Sequence, residues 1–546
     1  MKRKLRSAIL TMFVMLCLTA CGGQAQHTSA PPPAVETLSP AELAIAADLE
    51  AYSAKEETEA DRILLDTSVS LTAESLADME KAAAELDIDY PYGEISQLKT
   101  AYAAYRALPS LEEGLISGVL EDLDPQTLYE RVKAANDGHE SNWLEDGGHV
   151  YIPLDDEYLQ WACEVICDTL DQELSGWNFE EQMFSIDYNI AHLKIFKNSA
   201  GYSNAAVSDD GIMTIQPVFT ESMTTIVNNE NAPSVTLAHE TEHLLQKHAN
   251  PRMEALGADR AFGFCYHLPE LTVNSLFYTW MIEAAAEKLA ARLYNCPPQT
   301  YLAKIGYLDS LTIPTLLAGA DPQAVPRLTQ QPSLDVVFDL FGCENESERM
   351  ELLNCLYAIE VIQTEPEDFF AEFTRQTGRE VTEDELVTVK RGLKAPACLT
   401  MSKLFYRALA RRLTEQALSL REVFYLMSVW EFDLSSHLAY DDETRLATTG
   451  SFLTSYVELQ RCFFEALSAG TGRPAAELQA LFGAYLCRCE IPTKSLLYGN
   501  EAWTEGPEIP GVSAAGNAFL DEYYRTVSQS RTVPVYRAAE ILLGEP

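Results

Sequence analysis

The feature that most constrains the fold of this chain is a pentapeptide with two histidines four residues apart. It reads His239-Glu240-Thr241-Glu242-His243. Apolar residues on both sides predict a helix over residues 233–248, and on a helix the two histidines share one face, one turn apart. Their imidazoles can then meet a single metal ion. Glu240 lies about 100° round the helix from His239, where its carboxylate can reach a metal-bound water without binding the metal.

A metal site with an open position needs a third protein ligand. The favoured candidate lies on the next predicted helix, residues 276–293, where Glu283 and Glu287 stand four apart in an Ala-rich stretch. Two alternatives stay open: Glu270 as the ligand, and a solvated acidic face that carries both glutamates of the helix. His248 has the wrong spacing for a ligand, and we expect it to be a solvated residue near the helix end.

Residues 190–295 combine H-E-x-x-H with glutamates on a following helix, and in this they resemble the gluzincins, a family of zinc metallopeptidases. The resemblance implies a zincin-like catalytic core that binds Zn²⁺ and hydrolyses a peptide or protein substrate. The implied zinc ligands are His239, His243 and Glu283. Glu240 would act as general base and then as general acid, and Glu287 would hold the ring of His239.

The same resemblance implies a sheet edge over the cleft and a donor for the oxyanion. The predicted edge strand is 212–217, along which an extended peptide would pair, with Asn204 and Ala205 as a further candidate contact. A Tyr or His usually stabilises the oxyanion in this family. The sequence leaves five choices open, which are Tyr266, His267, Tyr278, Tyr301 and Tyr307.

The first 21 residues are predicted to be an export signal. Four basic residues precede a short apolar run, 8–18, that is too short to span a membrane. The run ends in Leu18-Thr19-Ala20-Cys21-Gly22, which resembles the lipobox of bacterial lipoproteins and implies lipidation of Cys21. Residues 22–39 are rich in Pro, Ala and small polar residues and are predicted to be a flexible tether. We therefore expect an exported, extracytoplasmic protein that is held to a membrane by lipid alone; a plain cleaved signal is the alternative.

The charge of the chain excludes one class of partner. It has 82 acidic and 39 basic residues, a net charge of -43, so we expect no nucleic-acid-binding surface. The cysteines after Cys21 are scattered too thinly for a disulfide scaffold, and we expect most of them to be buried thiols that pack as small apolar residues.

Periodicity along the chain predicts a mostly α protein with one small mixed β-sheet, an α+β arrangement. Alternating residues predict strands at 192–197, 202–207 and 212–215. The predicted organisation is an N-terminal helical region at 40–180, the catalytic core at 181–299 and a C-terminal helical domain at 300–546. A capping box from Thr382 to Glu385 predicts a helix start in the last of these.

A second interpretation comes from another functional class. The chain would be a non-catalytic surface lipoprotein that binds a ligand or partner, and its H-E-x-x-H helix would be degenerate or incidental. Zinc content distinguishes that protein from the peptidase.

Overall fold

A computed structural model describes residues 62–86, 88, 90, 98–107, 117–137, 152–175, 180–197, 205–208, 211–215, 232–269, 278–363, 382–438, 445–497, 506–528 and 535. The predicted signal, the tether, Cys21, Asn204 and Glu270 lie outside these residues. The described residues are mostly helical with small sheets, which confirms the predicted α-rich fold.

The strands in the described part of the chain are short and fall into three sheets. They are β1 Ser68–Val69, β2 Ile152–Pro153, β3 Lys194–Lys197, β4 Ala205–Val207, β5 Ile212–Ile215, β6 Arg260–Phe262, β7 Cys265–His267 and β8 Leu418–Ser419. β1 pairs with β8, β6 pairs with β7, and the other four strands form one sheet.

The helices account for most of the described chain. In the first half they are α1 Ala73–Glu85, α2 Leu98–Arg106, α3 Pro125–Asp137, α4 Asp156–Leu174, α5 Glu180–Ala191, α6 Ala232–Gln246, α7 Asn250–Leu256 and α8 Thr279–Leu293. Then come α9 Leu302–Leu317, α10 Ala324–Arg327, a 3₁₀ turn Leu328–Gln330, α11 Leu334–Leu340, α12 Glu346–Gln363 and α13 Glu383–Glu415. The last four are α14 Leu420–His437, α15 Arg445–Thr471, α16 Ala475–Leu497 and α17 Ala514–Ser528. The predicted capping box is confirmed, since the Glu385 amide donates to Thr382 Oγ1 and the Thr382 amide donates to Glu385 Oε2.

The chain divides into two compact units. One unit contains residues 1–86, 410–510 and 520–546. Its described part includes α14, which is buried along nearly its whole length. Glu431 of α14 is fully buried and accepts a hydrogen bond of 2.7 Å from the Tyr456 hydroxyl, as a buried carboxylate requires.

The other unit contains residues 87–409 and 511–519, and with them the four-stranded sheet. The strand order is β2-β3-β5-β4; β3 and β5 are parallel, and the two outer pairs are antiparallel. This confirms the predicted small mixed sheet. Pro153 lies in the edge strand β2, where its missing N–H disrupts no ladder.

The position of β5 corrects one expectation. β5 is paired on both sides, so residues 212–215 do not form the sheet edge. The edge strands are β2 and β4, and β4 packs against α6. Side-chain alternation shows that a segment is a strand but not which neighbours it has, and the parallel β3–β5 pair cannot be seen locally.

Helix α6, which carries the histidine pentapeptide, crosses the core of this unit. Its apolar side chains pack into one buried cluster with side chains of α4, α5, β3 and β5. The α6 members of this cluster are Val235, Leu237, Ala238, Leu244 and Leu245. Helix α8 packs on α6 and contributes three consecutive alanines, Ala284 to Ala286, that are fully buried. Small side chains here let the two helix axes approach closely.

The carboxyl end of α6 is closed by two amide side chains from α5. Asn189 Nδ2 donates to the carbonyl oxygens of Leu244 at 3.1 Å and Lys247 at 2.9 Å. Gln182 Nε2 donates to the Leu245 carbonyl at 3.0 Å. The last carbonyls of a helix have no partner within it, so these amides satisfy them in a buried setting.

Two further features of the described residues complete the fold. Among the cysteines whose side chains are described, eight carry thiols that form no disulfide, and all of these but Cys296 are buried, which agrees with thiols that act as small apolar residues. Across the same residues, every helix is too short or too polar to cross a membrane.

Candidate metal centre

The two histidines of α6 face the same point. His239 and His243 lie one turn apart, with their rings perpendicular and their Nε2 atoms 3.1 Å apart. Both residues are buried. Two ring nitrogens at this separation can direct their lone pairs at one cation, so the pair is suited to share it.

Helix α8 brings a carboxylate to the same point. Glu283 Oε2 lies 3.3 Å from His239 Nε2 and 3.5 Å from His243 Nε2. The three side chains, two nitrogens and one carboxylate oxygen, could therefore hold a metal ion. Glu283 and Glu287 are thus not a solvated acidic face, because both point at the histidines.

Glu287, one turn further along α8, contacts the outer nitrogen of His239. Its Oε2 lies 3.3 Å from His239 Nδ1, while its Oε1 accepts hydrogen bonds from the amides of Gln299 at 2.7 Å and Thr300 at 3.0 Å. Burial opposes its ionisation, but His239 and the two amides lower the pKa of Glu287 to about 2. The carboxylate is therefore charged and fixed, and it can hold the ring of His239 in one orientation.

Gln246 performs the same task for His243, and the sequence analysis did not identify it. Its Oε1 lies 2.9 Å from His243 Nδ1, and its Nε2 donates to Thr329 Oγ1 at 2.8 Å and to the Ile282 carbonyl at 3.3 Å. The amide is thus locked, with its oxygen toward the imidazole. The spacing from His243 to Gln246, three residues on one helix, was a usable signal for this contact.

Without a metal, the site holds protons in its place. Burial lowers the pKa of both histidines, but the surrounding carboxylates outweigh it and raise the pKa of His239 to about 10 and that of His243 in the same direction. Burial likewise opposes the charge on Glu283, yet the two imidazolium rings hold the pKa of this carboxyl well below its usual range. The negative carboxylates around His239 and His243 therefore favour a positive charge at this site.

Glu240 lies beside the ligand cluster. It is buried, and its charge raises the pKa of His239, His243 and Tyr301, which places its carboxylate within electrostatic reach of all three.

Tyr301 is the one aromatic candidate among the five that contacts the cluster. Its ring stacks on His239 with centroids 5.7 Å apart and planes 19° apart. Burial raises the pKa of Tyr301, and the charge of Glu283 and a hydrogen bond to it raise the pKa further. The residue has a left-handed backbone, with φ of 54°, which is strained for a non-glycine residue and fixes where the ring goes.

The other four candidates for the oxyanion donor have different contacts or lie in the core. The Tyr266 hydroxyl donates to the Pro332 carbonyl, and His267 pairs with Asp259. Tyr278 and Tyr307 are buried in the core. The sequence could not distinguish these four residues from Tyr301. The segment between α8 and α9 brings Tyr301 back to His239, and this tertiary contact has no local signal.

His248 differs from its expected role. It is fully buried rather than solvated, and its Nε2 donates to the Gly263 carbonyl at 2.6 Å. Burial lowers the pKa of His248 to about 4, so the ring is neutral. The expectation was wrong because the β6–β7 hairpin folds over the end of α6, a contact that local spacing does not reveal.

Glu242, at the second variable position of the pentapeptide, points away from the metal cluster. It accepts a hydrogen bond of 2.7 Å from Gln330 Nε2 and lies near the buried Glu173, which pairs with Arg292 and Arg327. Burial and the charge of Glu173 raise the pKa of Glu242. This network joins α4, α6, α8 and α10 behind the metal centre.

Comparison of the chain with protein-family models, with curated proteins and with solved structures found no significant match.

Proposed function

We propose that this protein is a zinc metallopeptidase with a zincin-like core, as its resemblance to the gluzincins implies. The observation that carries the proposal is the triangle of ligand atoms, whose edges are 3.1, 3.3 and 3.5 Å. A tetrahedral zinc site with bonds of about 2.0–2.1 Å has edges of about 3.3 Å. Two imidazole nitrogens and one carboxylate, with the fourth position open, are a donor set typical of catalytic zinc. The match supports Zn²⁺ bound by His239, His243 and Glu283.

A bound zinc ion would lower the pKa of a water molecule and polarise a carbonyl group. Glu240 would take the proton from that water and pass it to the leaving amine. Its position beside His239, outside the ligand triangle, supports this role. Glu287 and Gln246 would keep both imidazoles oriented during the reaction.

Tyr301 is our proposed donor to the oxyanion. Its raised pKa keeps the hydroxyl protonated at neutral pH, and the hydroxyl already lies at the ligand Glu283. A donor held in place before the reaction stabilises developing charge more than one that must move.

An extended substrate would reach this site along β4. This edge strand packs against α6 and, among the described strands, pairs with β5 alone, so its other side suits pairing with a peptide backbone. We therefore propose that an extended peptide pairs with residues 205–207, and not with residues 212–217 as the sequence predicted.

A Glu240→Gln variant tests the catalytic proposal. It should bind zinc as wild type does and cleave a mixed peptide library more slowly by about 10²–10⁴-fold, because it loses only the base. Glu254→Gln, at an exposed position on α7, is the matched control and should cleave normally. Zinc-loaded wild type that cleaves no peptide would instead favour the non-catalytic lipoprotein.

We further propose that the chain is exported and anchored by lipid on Cys21. This rests on the signal and lipobox pattern alone. Labelled palmitate should be incorporated into wild type and not into a Cys21→Ser variant in a bacterial host; equal incorporation in both would contradict the proposal.

A further inference from the structure

One cation lies at the rim of the metal centre. Lys304, in the first turn of α9, is half-buried, and its Nζ lies 4.6 Å from the centroid of the Tyr301 ring. That ring in turn stacks on His239. Within the part of the chain that the structure describes, the ammonium makes no hydrogen bond or ion pair, and the ring face is its direct partner.

One buried carboxylate, that of Glu360, lies within electrostatic reach of Lys304. Glu360 of α12 accepts a hydrogen bond of 2.9 Å from the Trp280 amide, at the start of α8. Burial raises the pKa of Glu360 to about 7, although the Trp280 amide and Lys304 oppose this. Glu360 is therefore only partly ionised near neutral pH, and Lys304 retains attraction for another anion.

The metal centre opens on the side where Lys304 lies. The Glu283 side chain is 23% exposed, against 8% for His239. Next to it, Tyr301 is 39% exposed and Leu302 is 62% exposed, and both are large apolar residues. The rim thus offers an apolar surface with a cation beside it, in a chain whose net charge is -43. An anionic ligand would otherwise be repelled from so acidic a protein.

We propose that Lys304, with the ring of Tyr301, forms a subsite for a substrate carboxylate, so that the site prefers peptides with a carboxylate next to the cleaved bond. The inference rests on the proposed peptidase function. An ammonium and a carboxylate form a charge-assisted hydrogen bond, which is stronger than a bond between neutral groups.

The carboxylate must lie close to the bond that is cleaved. A single aromatic ring, that of Tyr301, contacts both Lys304 and the ligand His239. An extended residue spans about 3.3–3.6 Å, so the carboxylate belongs to the first or second residue beyond that bond. It can be the carboxyl terminus of a short peptide or the side chain of an Asp or Glu at that position.

Three matched peptides separate these sources. The first has a free carboxyl terminus, the second has a terminal amide, and the third has a terminal amide with Glu as its last residue. Cleavage is measured with the zinc-loaded protein. Equilibrium binding is measured by calorimetry with a Glu240→Gln background, which leaves the peptides intact. We expect the free carboxylate to bind about tenfold more tightly than the amide. Recovery of affinity by the third peptide would assign the subsite to a side chain as well.

Lys304→Met keeps the length and packing of the side chain and removes the charge. It should abolish the preference for a carboxylate while leaving affinity for the amide peptide unchanged. Lys99→Met, at an exposed position on α2, is the matched control and should retain the preference.

The outcomes distinguish the two proposals. Cleavage of all three peptides at equal rates, with equal affinities, would overturn the subsite and leave the peptidase intact. A carboxylate preference that survives Lys304→Met would overturn the assignment to Lys304. Binding that depends on Lys304 without any cleavage would support the subsite and overturn the peptidase function.

Discussion

Each histidine of the metal centre has one ring nitrogen toward the metal position and the other toward a fixed oxygen. For His239 that oxygen belongs to the carboxylate of Glu287, and for His243 it belongs to the amide of Gln246. A proton on Nδ1 of each ring would face this oxygen and leave Nε2 free to bind a metal. A ligating histidine that is held in this way binds metal more tightly than a freely rotating one.

Gln246 gives a direct test of this role. A Gln246→Leu variant should bind zinc about 10–100-fold more weakly, because the Nδ1 proton of His243 loses its acceptor. Gln246→Glu keeps an oxygen in place and should bind zinc nearly as well as wild type. Affinities are measured by competition with a chromogenic chelator. Equal affinity in all three proteins would show that Gln246 does not orient His243.

The pKa of His239 predicts how the metal-free site depends on pH. Its pKa is raised from 6.5 to about 10, so the imidazolium stabilises the folded state. That contribution is complete below about pH 6.5 and is lost as the pH rises through about 10. Zinc must displace these protons, so binding should release protons and tighten as the pH rises across this range. Calorimetry at pH 7 in buffers with different ionisation enthalpies measures the release; heats that do not depend on the buffer would contradict it.

For individual residues, the sequence predicted which side chains share one face of a helix. The spacing of His239 and His243 is local, and the pair Glu283 and Glu287 follows the same rule on the next helix. Tyr301 and His248 could not be placed, because the first depends on the turn after α8 and the second on the β6–β7 hairpin.

The candidate metal centre depends on two helices that are held at a fixed separation. α6 carries both histidines, α8 carries both glutamates, and the buried alanines of α8 set how closely the helices pack. Ala286 shares a face of α8 with Glu283 and Ala290, because these residues are three and four apart.

An Ala286→Leu variant should therefore weaken both the fold and the site. Overpacking of a full interior costs about 1–3 kcal/mol. It should also push Glu283 away from the histidines and reduce zinc affinity by at least about tenfold. Thermal unfolding and chelator competition measure the two effects. The same substitution at exposed Ala134 on α3 is the control. Unchanged zinc affinity in a destabilised Ala286→Leu protein would show that this packing does not position the carboxylate.

The sequence predicted whether a segment is a helix or a strand better than it predicted where the segment ends or which strands are neighbours. The sequence from Pro153 to Leu174 predicts one long helix, but α4 starts at Asp156, because residues 152–153 join the sheet as β2. The strand at 212–215 has the expected bounds but lies inside the sheet. Its parallel partner β3 precedes it in sequence by more than a hairpin, so only tertiary packing reveals the pair.

At the scale of the whole molecule, the metal centre draws all its described residues from one of the two compact units. A metal ion that binds only the folded state would stabilise that state by about 4 kcal/mol when the free metal is a thousandfold above its dissociation constant. The composition of the units was not visible in the sequence, because residues 62–86 join residues beyond 410, as in the β1–β8 pair.

Hydrogen exchange should locate this stabilisation. Removal of zinc with a chelator should speed amide exchange in α6 and α8, whose packing the ligands tie together. It should leave α14 unchanged, since that helix belongs to the unit without the site. An equal change in α14, or none in α6, would show that the metal does not hold this pair of helices.

The most direct test of the candidate metal centre is the zinc content of the purified protein by elemental analysis, for wild type and for Glu283→Ala. We expect about one zinc ion per wild-type chain and a large loss in the variant, because one of three ligands is missing. Folded wild type that contains no zinc and takes none up would contradict the metal centre and the peptidase proposed from it.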